Sequence, residues 1–499
     1  MSLPSRPSLP DPALTALTGW LRCARDVVAA SAAAIDAINV FPAPDADTGT
    51  NVTQTLTGIV DAAAGGRPGL SRAAVVSAHG NSGAVIGQMV AIAIDRLPVT
   101  ATESCGTWLA ATLRAAAAAA TAAVADPVRG TVLSVADAAA EAAGPAAELT
   151  PDDGLAVAVA AERAAAEALE RTTEQLRPLR DAGVVDAGGL AYLLLLRALV
   201  QVLGGASARP VQASRVTGPA TPSAAPEPAG EPQYEVMYLL EGADLTTLDR
   251  LRERLSAVAD SVVVVTARTP SSTATAQVHA HLSRPTLALA PGLAVGTVSG
   301  LRVTPLGADP GPDPGARQPL VIIDDPGYEE LVRGHGGRPL PPPDDSSLTT
   351  RLAVALARSG PDVIMVLPPS AAAAAETATA ACAGSGRRVE PVPADDPVQA
   401  LCALAVHEPT AELAVAATAM RAAAGRVRTG VAAGVDDGWR LVDRLAGAEP
   451  ELITIITGPA AVDDAAELGR RVAAAHPRAE LELLSSGAAG STLLIGVES

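Results

Sequence analysis

The sequence predicts a multidomain molecule: an all-α bundle, then a small α/β unit, then a larger α/β domain. Three observations predict it. The chain has 499 residues, enough for about three domains at roughly 100–200 residues each. Residues 13–203 are rich in Ala, Leu and Arg and are punctuated by Gly, Pro and Asp clusters, a pattern of helix after helix. Beyond residue 232, β-branched runs begin and alternate with helical stretches.

The helical region, residues 10–205, reads as Leu14–Ala37, Thr50–Ala64, Leu70–Leu97, Trp108–Ala125, Thr131–Ala143, Asp153–Thr173 and Asp186–Leu203. Short connections make neighbouring helices antiparallel. Residues 206–232 are rich in Pro, Gly, Ser and Ala without an apolar period and read as a linker. Residues 233–307 hold three strand-like runs, YEVMYLLEG, SVVVVTA and TAQVHAHL, with a helix at Leu245–Val258 between the first two. A second soft boundary falls at 307–318. In residues 318–499 the runs LVII, DVIMVLP, ELITIITG and AELELLSS alternate with Ala-rich helices, which predicts a largely parallel sheet. A PLPPPDD loop at 339–345 interrupts that pattern.

Composition removes several function classes. The chain has no Lys, so all 36 basic residues are Arg. A P-loop lysine, a kinase strand lysine and a Schiff-base lysine are therefore excluded. The net charge of −18 argues against broad nucleic-acid binding, because phosphate neutralisation needs clustered cations. Aromatic residues make up only 2%, so stacking platforms are missing as well. Cys23, Cys105, Cys382 and Cys402 form no C-x-x-C pair and read as small apolar residues in a reducing compartment. Met1–Pro12 has no apolar core of a signal peptide, and Ala runs such as Ala115–Ala120 are too weakly apolar for a membrane span. The expectation is a cytoplasmic protein.

Two segments stand apart from this background: Ile38–Val52 (INVFPAPDADTGTNV) and Ser77–Val85 (SAHGNSGAV). They hold the only Phe of the chain, Phe41, and all three of its Asn residues, Asn39, Asn51 and Asn81. Asn amides offer both a donor and an acceptor, which Ala and Arg cannot replace. Asp45 and Asp47 lie in a Pro-rich loop directly before a helix, and an i, i+2 pair there can aim two carboxylates at one Mg²⁺. The run Thr48-Gly49-Thr50-Asn51 opens that helix, and a helix N-terminus with small polar residues suits phosphate. His79-Gly80-Asn81-Ser82-Gly83 offers a second set of small donors on a tight turn. Together these point to phosphoryl transfer from a nucleotide without a Walker lysine. The plain alternative is that the Asp pair only caps the helix and that GNSG is only a turn.

These motifs resemble the kinase component of the FakA-like fatty-acid kinases and, more distantly, the nucleotide-binding component of dihydroxyacetone kinase. INVFPAPDADTGTN is similar to the family's NVFPVPDGDTGTN loop, and AHGNSG to its ARGNSG turn. RGTVLSVADAAAEAA (Arg129–Ala143) and DAGVVDAGGLAYLLL (Asp181–Leu195) resemble its EGTILTV-type and AGVVDAGG helix starts. The resemblance continues through YEVMYLLEG and the V-H-A-H strand to the final LLIGVE. It implies an antiparallel eight-helix barrel, a small α/β middle domain and a DegV-like α/β C-terminal domain. It implies ATP or ADP bound through Mg²⁺, with Asp45 and Asp47 as the catalytic metal ligands and Asn39 in place of a third. Thr48, Thr50, Asn51, His79, Asn81, Ser82 and Gly83 would meet the phosphates. Thr131, Asp186 and Gly188 would lie near the nucleoside. The implied acceptor is a fatty acid delivered by a separate DegV-like carrier protein, and the product is an acyl phosphate. A carboxylate acceptor needs no general base. The middle region is a candidate homodimer contact.

Three departures bear on this. Ala46 stands where the family has the Gly of DGD, and a left-handed loop would be strained by it. His79 replaces the Arg of ARGNSG. Glu235 stands where the family's middle domain has Cys, while His279 and His281 remain on one face of a strand. Glu235, His279 and His281 make an acceptable zinc set whose metal would be structural; a packed His pair without metal is the alternative. Two other functions stay open: a component of a dihydroxyacetone-type kinase, and a non-catalytic nucleotide-binding scaffold.

Overall fold

The computed structural model describes residues 11–98, 104–205, 233–268, 273–306, 317–341, 344–447 and 450–498. The expected linker 206–232, most of the soft boundary at 307–318 and the middle of the 339–345 loop lie outside the described residues.

The N-terminal region is helical, as its composition predicts. It contains α1 (Pro12–Asp36), α2 (Thr48–Asp61), α3 (Gly66–Val76), α4 (Gly80–Asp95), α5 (Cys105–Ala123), α6 (Val132–Leu149), α7 (Gly154–Gln175), α8 (Arg177–Ala182) and α9 (Ala187–Val202). The stretch Leu70–Leu97, expected as one helix, is two. Gly80 takes φ +60 and breaks the α-helical run at Ser77–His79. The apolar period carries on across the break, so periodicity alone does not reveal it. One apolar core gathers residues such as Leu21, Ile35, Leu56, Ile86 and Leu195 from α1, α2, α4 and α9. A second gathers Leu113, Ala139, Ala161 and Leu193 from α5, α6, α7 and α9.

That second core continues into the next segment through Val263, Val265 and Ala267. The middle segment comprises β1 (Gln233–Glu241), α10 (Leu245–Ser256), β2 (Ser261–Arg268), β3 (Ala274–Leu282), α11 (Pro285–Leu293) and β4 (Thr297–Leu306). Its sheet runs β2-β3-β1-β4, with β3 antiparallel to both β1 and β2. Every residue of β3 is buried, because β3 is a central strand covered on both faces. Polar contacts fasten the sheet to the helices. The Thr266 amide donates to Gln88 Oε1 at 2.8 Å, and Gln277 Nε2 donates to the Ala78 carbonyl at 2.7 Å. Val124, just past α5, bridges antiparallel to Val263.

The C-terminal region forms its own unit. One sheet was expected there and two are found. In the first, β5 (Leu320–Val321), β6 (Arg338–Pro339), β7 (Asp362–Leu367) and β8 (Arg388–Pro393) lie in the order β6-β5-β7-β8, all parallel. In the second, β9 (Val427–Ala432), β10 (Leu452–Thr457), β11 (Glu480–Ser485) and β12 (Leu493–Glu498) lie in the order β11-β10-β12-β9. The last strand returns antiparallel between β10 and β9, so this group closes as a separate mixed sheet. Met420, Ile364, Ile456 and Leu494 belong to one core that joins the two sheets. Among the described residues, no helix is long and apolar enough to cross a membrane.

Inside the helical region, Arg197 on α9 pairs with Glu162 on α7 at 3.0 Å, and the Glu162 side chain is only 2% exposed. Breaking one side of a buried pair leaves an uncompensated charge. Arg197→Leu should therefore cost about 3 kcal/mol of stability, seen as a lowered Tm in calorimetry. The double variant Glu162→Gln/Arg197→Leu should recover most of that loss.

Candidate functional site

The site begins where α1 ends. Ile38 and Asn39 are buried, and the chain then runs through a cis Phe41–Pro42 bond to the Asp pair. Ala46 has φ +55, a left-handed conformation that glycine adopts freely. For Ala this costs about 1–2 kcal/mol. The turn points both carboxylates into one pocket of about 290 Å³ of open volume. Asn39 Nδ2 donates to Asp45 Oδ1. Burial of its carboxyl and then the charge and hydrogen bond of Asp47 push Asp45 up to about 6, against the lowering effect of Asn39.

The capping alternative for Asp47 fails. Asp47 is the residue before α2, yet its side chain caps nothing. The cap comes from Asp36, at the last position of α1. Asp36 Oδ1 accepts from the Gly49 and Thr50 amides, the latter at 3.1 Å, and Oδ2 accepts from Thr50 Oγ1 at 2.8 Å. Sequence reasoning missed Asp36, although a signal exists. A carboxylate in the last turn of a helix opposes the macrodipole and asks for a partner elsewhere.

The opposite wall comes from α4. Gly80, Asn81 and Ser82 line the pocket beside Thr48 and Asn51 of α2. A Cβ on Gly80 would fall 2.4 Å from Asn51 Nδ2, so no larger residue fits the turn. Asn81 Nδ2 donates to Ser261 Oγ at 3.3 Å, while its Oδ1 is buried without a partner. Three expected phosphate contacts are placed differently. The Thr50 hydroxyl is held by Asp36. His79 turns its Nδ1 to the Ser77 carbonyl at 2.7 Å and does not line the pocket. Gly83 packs against α2, where a Cβ would meet Thr55 Oγ1.

Asp186 and Thr131 are helix caps. Asp186 Oδ2 accepts from the Gly189 amide at 2.7 Å, and its carboxyl also accepts from the amide of Val132, so it joins the starts of α9 and α6. Thr131 Oγ1 accepts from the Leu133 amide and donates to the Val128 carbonyl at 2.8 Å. Gly188 lies against Ser82 and Val132, so the starts of α4, α6 and α9 meet beside the pocket, although Thr131, Asp186 and Gly188 do not line it.

The middle sheet supplies the remaining wall. Glu235 on β1 stands opposite His281 on β3, and both line the pocket. His279 Nε2 lies 2.9 Å from His281 Nε2, and Glu235 Oε1 lies 3.7 Å from His279 Nδ1. All three ligand atoms fall within 4.8 Å of one another. His279 Nδ1 is buried without a hydrogen bond. Burial, then the neighbouring ring, holds His279 well below the ordinary range, and burial lowers His281 to about 4. Both rings are neutral at pH 7. The sequence reading set this trio apart from the phosphoryl chemistry; the structure puts Glu235 and His281 in the same pocket as Asp45 and Asp47.

Burial raises the Asp186 carboxyl from 3.8 to about 6. Its folded-state value lies above the unfolded one, so its ionisation is a cost that is present above about pH 6. That cost is relieved as pH falls toward 4. Asp186→Asn removes it. The difference in Tm between variant and parent should move in the variant's favour as pH rises from 5 to 8, by a swing on the order of 2–3 kcal/mol. A pH-independent difference would refute the assignment.

Comparison with known proteins agrees with the order of these regions. Residues 42–201 match the DAK2 domain, residues 231–309 the middle domain of the FakA-like fatty acid kinase family, and residues 321–432 the C-terminal domain of that same family. Protein YloV of Bacillus subtilis (strain 168) is 36% identical over 184 residues, covering 35% of this chain and 33% of its own. An uncharacterized protein of Staphylococcus haemolyticus is 34% identical over 179 residues, covering 34% of this chain and 32% of its own. The match thus spans about a third of the length of these curated relatives. With a DAK2 domain followed by both of the family's later domains, the chain belongs to the kinase-related, FakA-like fatty acid kinase family.

Proposed function

We propose that this protein transfers the γ-phosphoryl group of Mg·ATP to the carboxylate of a fatty acid held by a separate DegV-like carrier, giving an acyl phosphate and ADP. One observation carries the reading. Asp45, Asp47 and Glu235 line a pocket that includes no Arg, in a chain that has no Lys. Phosphate cannot share that space with three carboxylates unless divalent cations come with it. The residues fit such a cation: two carboxylates face one point, and Asn81 Oδ1 is left without a partner beside them. Mg²⁺ would supply neutralisation of the developing charge on the phosphoryl oxygens.

In this reading Asp45 and Asp47 hold the metal, and Asn39 orients Asp45. Thr48, Asn51, Asn81 and Ser82 bind the phosphates from the starts of α2 and α4. The carboxylate acceptor enters already ionised, so the chain has only to position it. Neutral His281 in the wall favours a second reading, a dihydroxyacetone-type kinase, because an alcohol acceptor would use it as a base.

The deciding experiment is a phosphoryl-transfer assay with Mg·ATP and either carrier-bound fatty acid or dihydroxyacetone. Acyl phosphate with the first acceptor alone supports the leading reading. Asp45→Asn and Asp47→Asn should each lower turnover by at least about 100-fold at an unchanged Tm, since each removes a metal ligand that contributes little to the core. Full activity in both would sink the assignment.

Glu235, His279 and His281 are proposed to hold a zinc ion, for which their donor set and the unpartnered His279 Nδ1 are suited. Metal analysis of protein purified without chelator should find about one zinc per chain, and none in His279→Ala/His281→Ala. Absence of zinc in the parent returns the pair to a packed, hydrogen-bonded role.

A further inference from the structure

Asp47 precedes α2 and has the residue type that ordinarily caps a helix. A capping side chain at that position accepts from the second or third amide of the helix. In α2 those are the amides of Gly49 and Thr50. Asp36 already takes both of them, and the Thr50 hydroxyl as well. Its reach depends on how closely α1 and α2 approach. A Cβ on Gly49 would lie 2.4 Å from the Ala32 carbonyl oxygen, so the two helices touch through backbone one turn before Asp36. Asp47 is thereby left without a capping bond, and it faces the pocket beside Asp45.

We propose that Asp36 is a positioning residue: it caps α2 in place of Asp47 and so releases the Asp47 carboxylate to bind a divalent cation. This rests on the metal reading of Asp45 and Asp47 given above. Without Asp36, the Gly49 and Thr50 amides would recruit the nearest acceptor, which is Asp47 itself, and the cation would lose one of its two carboxylates.

The role differs from simple helix stabilisation and from a general negative charge. Asn at position 36 keeps an acceptor oxygen for the two amides but loses the charge. Leu keeps neither. The test titrates Mn²⁺ against the full chain in the presence of ADP, reading the free ion by electron paramagnetic resonance, with Tm measured in parallel. Asp36→Leu should weaken Mn²⁺ binding at least about tenfold, the usual scale for losing an outer partner of a metal ligand. Asp36→Asn should stay within about threefold of the parent, as rescue by a conservative cap requires. In the Asp47→Asn background, Asp36→Leu should add nothing further, because its effect passes through Asp47.

Unchanged Mn²⁺ affinity in Asp36→Leu, with or without a lowered Tm, overturns the proposal. So does an equal loss in Asp36→Asn, which would make the effect one of charge alone. If Asp36→Leu fails to fold, the comparison of Asp36→Asn with the parent and with Asp36→Asn/Asp47→Asn still decides: a loss in the single variant beyond about threefold rejects it. A parent that binds no Mn²⁺ defeats the metal reading itself, an outcome distinct from the others.

Discussion

The start of helix α2 is the constraint around which the site is arranged. A helix N-terminus presents amides that must find acceptors, and a buried start leaves water unable to supply them. Here the demand is met from outside the helix by Asp36. The acidic residue next to the helix is then free of a structural duty and faces the pocket. The same economy appears at Asp186, which satisfies the starts of α6 and α9 with one carboxyl. In each case a carboxylate fixes helix ends against one another, and the ends together form the rim of the site.

A second constraint is the shared core of the helices and the middle sheet. Val263, Val265 and Ala267 pack into the same cluster as the helical residues, so the sheet cannot sit elsewhere without exposing that surface. Gln277 and Gln88 add polar registration to the apolar contact. On β3, Gln277, His279 and His281 share one face because strand side chains alternate. Anchoring the first to the carbonyl of Ala78, two residues before Gly80, carries the third into the pocket. The sheet thus completes a wall that the helices alone leave open.

Electrostatics then determine what the pocket suits. Carboxylates held close together share a proton or a cation, and the raised position of Asp45 shows that the apo arrangement is already strained in charge. No lysine exists in the chain to relieve it. The two histidines are kept neutral by burial, so they add hydrogen-bonding and ligating capacity without positive charge.

The amino-acid sequence by itself determined the helical and β-rich regions, the turn at Gly80 and the clustering of chemistry in Ile38–Val52 and Ser77–Val85. Local propensity, glycine and the rarity of Asn are properties of neighbouring residues, and neighbouring residues are what a sequence displays. It also marked Asp45, Asp47, Asn39, Asn51, Asn81 and Ser82, which do meet. Tertiary structure alone decided which acidic residue caps α2, why Thr50, His79 and Gly83 turn away from the pocket, and that the C-terminal strands form two sheets. It also brought Glu235 and His281 from the middle sheet to the Asp pair, about 190 residues or more away along the chain. These outcomes depend on which surfaces bury against each other. Packing of that kind is a competition among distant partners that no local pattern records.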